Sequence, residues 1–137
     1  MVVLIDTNVL LDVLLAREPF YQEGLAVLRS VELGRAQGWI AANSFDNIYY
    51  ISRRQLSPEQ SKSLLQTLLQ VVDVVAPGKK ELLRALASDM ADLEDAIQAA
   101  CAVKVNAQAI ITRNAKDYVN SPVKPLSPAE YLKLLPK

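Results

Sequence analysis

Five acidic residues stand where the local pattern passes from one element to the next. Asp6 directly follows the β-branched run Val2–Ile5. Asp92, Glu94 and Asp95 open an apolar helical stretch, and Asp117 lies five residues beyond Thr112, past the run Ala109–Thr112. Singly, each has an ordinary explanation: a turn residue for Asp6, a helix cap for Asp92 with Asp95, a solvated face for Glu94, a loop carboxylate for Asp117. Brought together they repel, because each carboxylate raises the pKa of the others. A divalent cation removes that penalty. The sequence holds no histidine and a single cysteine, which excludes a histidine base and most zinc sites. Oxygen-only donors favour Mg²⁺ or Mn²⁺. Such an ion keeps several waters, one of which can act as a nucleophile on phosphorus. Carboxylates with this ion are a minimal set for hydrolysing a phosphodiester.

For distant acids to meet, the fold must gather them. Short, unalternating apolar runs at Val2–Ile5, Trp39–Ala42, Val71–Val75 and Ala109–Thr112 predict four strands buried on both faces. Helical stretches separate them. Thr7 is placed to cap the first, which carries Val9, Leu10, Val13 and Leu14. Pro19 suits the first turn of a second, and Ser44 the cap of a third, which ends at Arg53-Arg54. Ser57-Pro58-Glu59-Gln60 is a strong helix start, with an amide three residues after the serine. Further helices are expected around Glu81–Ala87, from about Asp92 to Val105, and after Pro128. Alternating strands and helices predict an α/β fold, one three-layer α/β/α domain over residues 1–137 with a short, mostly parallel central sheet. Ligands bind such sheets at the carboxyl ends of the strands. Asp6 and Asp117 follow strands, and Asp92, Glu94 and Asp95 should open onto the same rim. Asp73, inside the third strand, stands apart at an edge or a cap.

Composition narrows the possibilities further. A chain of 137 residues, 51% of them apolar, can bury one core without disulfides. Fifteen acidic and fifteen basic residues balance, which argues against a broadly basic nucleic-acid coat but not against a local patch. Cys101, within Ala99–Val103, is expected to be buried as a small apolar residue. No stretch reaches the roughly 20 apolar residues of a membrane span, and the first residues lack a secretory pattern. A soluble, cytoplasmic protein is expected.

Three segments, in order, carry a family resemblance. The stretch Ile5-Asp6-Thr7-Asn8-Val9-Leu10-Leu11-Asp12-Val13-Leu14 resembles the opening motif of PIN domains, the nuclease fold of VapC-type toxins. Asp92-Leu93-Glu94-Asp95-Ala96-Ile97-Gln98-Ala99-Ala100 is similar to the central acidic motif, and Ile110-Ile111-Thr112-Arg113-Asn114-Ala115-Lys116-Asp117-Tyr118 to the closing one. The tail Pro125–Leu132 also fits, so the resemblance spans nearly the whole chain. It implies a ribonuclease dependent on Mg²⁺ or Mn²⁺, with Asp6, Asp95 and Asp117 as catalytic and metal-site acids. Asn8 and Thr112 would orient these acids, Asn114 would fill a place often held by a further acid, and Asp92 and Glu94 would stand beside Asp95. It implies an RNA substrate, a homodimer and a small antitoxin partner whose peptide tail covers the active site.

One position departs from the family pattern. Where a glutamate is usual near the start of the third helix, the matching stretch Ser44–Tyr50 places Asn47. Its carbonyl is neutral, so the site would hold metal more weakly. Asp46 is one helical step away, roughly 100° around the axis. A PIN-like module that binds RNA or a protein without cutting is therefore the second reading. Arg53, Arg54, Arg113, Lys116 and Lys124 are the candidate contacts to nucleic acid, with Lys79-Lys80 further off, and Tyr49, Tyr50 and Tyr118 are candidate stacking platforms. Two other acid-bearing folds fail on their own signatures. A phospho-receiver domain needs an aspartate where this chain has Val75-Ala76-Pro77. A haloacid-dehalogenase phosphatase needs Asp-x-Asp where it has Asp6-Thr7-Asn8.

Overall fold

Strand β1 (Val2–Ile5) is the axis of the fold, and its last three residues are fully buried. The computed structural model describes residues 1–136. After β1 come α1 (Thr7–Leu14), α2 (Tyr21–Glu32), β2 (Gln37–Ala41), α3 (Ala42–Ser52), α4 (Pro58–Val71), β3 (Asp73–Val75) and α5 (Lys79–Ala87). Then follow α6 (Leu93–Lys104), β4 (Ala109–Ile111), a 3-10 turn (Ala115–Tyr118), β5 (Pro125–Leu126) and α7 (Pro128–Leu134). The five strands lie in the order β3-β2-β1-β4-β5, and every pairing is parallel. The α/β reading holds, with a sheet that is parallel throughout.

The pleat of β1 divides the core in two. Val3 and Ile5 face one side, where α1, α2, α3, α4 and α7 contribute Leu10, Val27, Ile48, Leu65 and Tyr131. Leu4 faces the other, with Ala99, Cys101 and Ala102 of α6, Ile110 of β4, and Tyr118. Cys101 is buried as expected, and burial pushes its thiol up to about 11. No helix among the described residues is long and apolar enough to cross a membrane.

The register sets the functional rim. Ile5 pairs with Ile111, so Asp6 and Thr112 leave the sheet side by side. The Asp6 N–H still donates to the Ile111 carbonyl at 2.9 Å, and Thr112 N–H to that of Leu126 at 2.9 Å. Two glycines allow the covering helices to pack closely. A Cβ on Gly38 would stand 2.8 Å from Val31 Cγ2, and one on Gly24 would stand 2.9 Å from Val13 Cγ2.

Several expected boundaries move, each for a local reason. Asp6, not Thr7, caps α1, because its Oδ1 accepts the Thr7 N–H at 2.7 Å. Pro19 lies in the turn before α2, whose first residue is Tyr21. β2 runs directly into α3 at Ala42, which leaves Ser44 inside the helix and buried rather than capping it. Val71 closes α4, so β3 starts at Asp73, on an edge strand. β5, a two-residue strand opened by Pro125, was not expected; it is too short to show a pattern. The Ser57 capping box forms as read, with Gln60 N–H donating to Ser57 Oγ at 3.1 Å.

Candidate active site

Asp6 lies at the centre of the rim, with 7% of its surface exposed. Both of its carboxylate oxygens are committed. Oδ1 accepts the Thr7 N–H at 2.7 Å and the Gln98 side-chain amide at 2.8 Å, and Oδ2 accepts the Thr112 hydroxyl at 2.7 Å. A buried carboxylate requires such donors. They also prevent it from rotating. Thr112 thus orients an acid, as the resemblance implies, and its own Oγ1 accepts the Asn114 N–H at 3.1 Å.

The cleft beside Asp6 has a volume of about 380 Å³. Asp6, Glu94, Asp95 and Asp117 all line it, so three segments of the chain bring carboxylates to one opening. Asp95, in the first turn of α6, carries the electrostatic signature of that convergence. Its pKa is pushed up to about 6, first by burial and then by the charges of Asp6, Asp92, Asp117 and Glu94. Burial and like charges both favour its protonated form. A cation among these acids would reverse the second effect. Among the described residues no three carboxylates are gathered closely enough to hold an ion directly between them. An ion held through one or two carboxylates and its own waters, as Mg²⁺ usually is, needs no tighter cluster.

The other expected residues separate into those at the cleft and those behind it. Asn47 lines the cleft, and Asp46 lines a different groove on α3 with Phe45 and Tyr49. Asp46 therefore does not replace the missing acid. Asn8 and Arg113 also line the cleft. Asn8 Oδ1 accepts the Arg113 N–H at 3.5 Å and thus holds the loop after β4 rather than an acid. Asp92 caps α6, its Oδ1 accepting the Asp95 N–H at 3.0 Å. Asn114 precedes the 3-10 turn, and Lys116 is exposed within it. Arg53 and Arg54 are exposed beyond the end of α3, and Arg53 donates to the Leu56 carbonyl at 2.7 Å. Tyr118 is not a stacking platform. It is 2% exposed, and burial followed by the charges of Asp6 and Asp95 raises its pKa.

Besides Arg17, which lines the cleft, two participants escaped the sequence reading. Gln98 is buried, donates to Asp6 Oδ1 and Tyr118 Oη, and lines the cleft. Its position three residues after Asp95, on the same helical face, is a signal in the sequence that could have found it. Asp12 is the other, a carboxylate on the inward face of α1 that binds Arg113. Only its place among apolar neighbours sets it apart in sequence.

The model of one protein family, described as PIN domain, matches residues 2–116. No curated protein matches the chain. Among solved structures, the chain is similar to a toxin-antitoxin complex from Klebsiella pneumoniae, with a TM-score of 0.71 and 22% identity over 92% of this chain and 97% of that one. VapBC2 from Rickettsia felis, bound to a DNA fragment from its promoter, matches with a TM-score of 0.69 and 15% identity, over 93% and 98%. VapC20 from Mycobacterium tuberculosis, a toxin that cleaves the sarcin-ricin loop, matches with a TM-score of 0.68 and 12% identity, over 85% and 93%. At these identities the likeness is one of fold.

Proposed function

The chain belongs to the PIN domain family, and from that premise we propose that it is a metal-dependent endoribonuclease of the VapC type. The observation that carries this reading is the meeting of Asp6, Asp95 and Asp117 at one cleft, with Asp95 held near pKa 6 by burial and its acidic neighbours. An all-oxygen donor set of this kind suits Mg²⁺ or Mn²⁺, not zinc. Asp6, Asp95 and Asp117 would hold the ion together, one or two of them directly and the remainder through its waters. When bound, such an ion supplies a nucleophilic water at neutral pH and offsets the charge of the phosphate.

The chain's own groups do the rest. Asp6 is fixed by three donors, so the donor geometry is prepared before substrate arrives. Gln98 and Thr112 hold that carboxylate from two sides, as the outer partners of metal ligands commonly do. Asp117, exposed on the 3-10 turn, closes the cleft from the β4 side. Asn47 lines the same space, and its neutral side chain can orient a water without adding charge.

RNA is the proposed substrate, and a small antitoxin the proposed partner, supported by toxin-antitoxin complexes among the similar folds. A homodimer is proposed through α3 and α4, where Phe45, Tyr49, Tyr50, Leu65 and Leu69 form an apolar groove.

Replacing Asp6 by asparagine tests the reading. The amide puts an N–H₂ against groups that are themselves donors, so Asp6→Asn is expected to abolish Mn²⁺-dependent RNA cleavage while circular dichroism keeps the wild-type helical signal. Cleavage at the wild-type rate by that variant sinks the assignment. Asn47 favours a second reading, a PIN module that binds without cutting. Calorimetric titration with Mn²⁺ separates the two: heat of binding that Asp95→Ala removes supports the nuclease, and no heat in the wild type supports the binding module.

A further inference from the structure

The acidic cleft is lined by two cations, Arg17 and Arg113, and one buried carboxylate holds both. Asp12 is 1% exposed. Its Oδ2 accepts from Arg113 Nε, and its Oδ1 accepts from Arg113 Nη2 at 3.2 Å. Arg17 Nε forms an ion pair with Asp12 Oδ1 at 3.0 Å. Arg113 is further fixed by Phe20, whose ring lies 3.9 Å beneath the guanidinium carbon. Arg17 is brought back over Asp12 by the end of α1. Its N–H donates to the Asp12 carbonyl at 2.9 Å, and the turn is made by Ala16 at φ +49, a left-handed position where a residue with a Cβ is strained.

This arrangement exceeds what stability requires. One bidentate arginine satisfies a buried carboxylate. A second guanidinium against the same group is repelled by the first and leaves one positive charge unneutralised. That surplus stands at the wall of a cleft otherwise lined by four carboxylates, which a polyanion could not enter unaided. Asp12 takes the Nε and Nη2 of Arg113 in hydrogen bonds and pairs with Nε of Arg17 by charge at 3.0 Å, without a hydrogen bond. Among the described residues, the terminal nitrogens of Arg17 and Nη1 of Arg113 have no protein partner. A guanidinium held by its Nε side presents the outer nitrogens that match a phosphate.

We propose that Asp12 is a positioning residue that sets Arg17 and Arg113 as a clamp for a backbone phosphate of RNA at the wall of the acidic cleft. The inference rests on the nuclease reading and adds to it the path by which the substrate's charge is accepted.

The test uses the full chain and a labelled single-stranded RNA of mixed sequence. Binding is read by anisotropy in EDTA across a salt series, and KM by cleavage in Mn²⁺. Arg17→Gln is expected to weaken binding or raise KM about tenfold, as loss of a charged hydrogen bond does. It is also expected to flatten the slope of log affinity against log salt by about 0.7. Asp12→Asn removes a negative charge near the cleft, so a mere screening role would tighten RNA binding. Positioning predicts that it weakens. Arg17 is partly exposed beyond the end of α1, so Arg17→Gln carries the test even where Asp12→Asn does not fold. Affinity, KM and salt slope all unchanged in Arg17→Gln overturn the clamp and leave the nuclease standing, as does tighter binding by folded Asp12→Asn. A wild type that neither binds nor cleaves RNA overturns both.

Discussion

Asp95 is where folding and chemistry conflict most directly. Its carboxyl has a folded pKa of about 6 against an ordinary 3.8. The folded state therefore binds more protons than the unfolded chain between those values, and Asp95's contribution to stability is lost as pH rises through 6. In metal-free protein, Asp95→Asn is expected to stabilise well above pH 6 by an amount on the order of 1 kcal/mol, discounted for partial exposure. Well below pH 4 the substitution should have no such effect. Urea titrations in EDTA at the two extremes read the difference, and equal gains at both would contradict it. Because a metal competes with the proton, Mn²⁺ affinity should rise with pH through the same interval. Gln98 belongs to the same scale. Gln98→Leu removes a donor to Asp6 Oδ1 without touching the cleft's charges, and is expected to lower Mn²⁺-dependent RNA cleavage about tenfold. A wild-type rate would show that Thr112 and the Thr7 N–H suffice.

At the scale of elements, the site depends on how closely helices approach the sheet. Gly38 in β2 faces Val31 of α2, and a methyl group there would lie 2.8 and 3.1 Å from the two Val31 methyls. Both are stiff β-branched atoms in the core, so the strand or the helix must move. Gly38→Ala is expected to destabilise the protein by about 1–3 kcal/mol, read as a lower urea midpoint at an unchanged slope. The rim itself is on the opposite end of β2, so residual activity per folded molecule should stay near wild type. A midpoint equal to wild type would mean that α2 is packed more loosely than these distances show. The cap by Asp6 works at this scale too, since one carboxylate both starts α1 and anchors the cleft.

For the whole molecule, the apolar groove between α3 and α4 is the surface proposed for assembly. Tyr50 is 72% exposed and Leu69 43%, both large side chains beside the half-buried Phe45 and Tyr49. With a second copy on this face, light scattering should return twice the chain mass, and Tyr50→Arg with Leu69→Arg should return one chain with the fold retained. A monomeric wild type would remove the groove as a dimer surface. The cleft opens on the rim around Asp6, which Tyr50 does not line. RNA binding per chain is then expected to survive the separation.

The local signals in the chain were sufficient for the framework. Four unalternating apolar runs, a capping serine before Pro58 and acids placed just past strands or at a helix start depend only on neighbouring residues, and they led to an α/β fold with acids on one rim. Family resemblance then singled out Asp6, Asp95 and Asp117. Pairings between elements were not legible in the same way. Gln98 reaches Asp6 across 92 positions, Thr112 reaches it across 106, and Arg113 reaches Asp12 across 101. Each pairing depends on strand register and on how far each helix is rotated against the sheet. Those are decided by side chains packing from both faces at once, and no single segment contains them. The cleft's acids, with Thr112 through the resemblance, were therefore readable from the sequence, whereas the hold of Gln98 on Asp6 and the pairing of Arg17 and Arg113 with Asp12 came only with the tertiary structure.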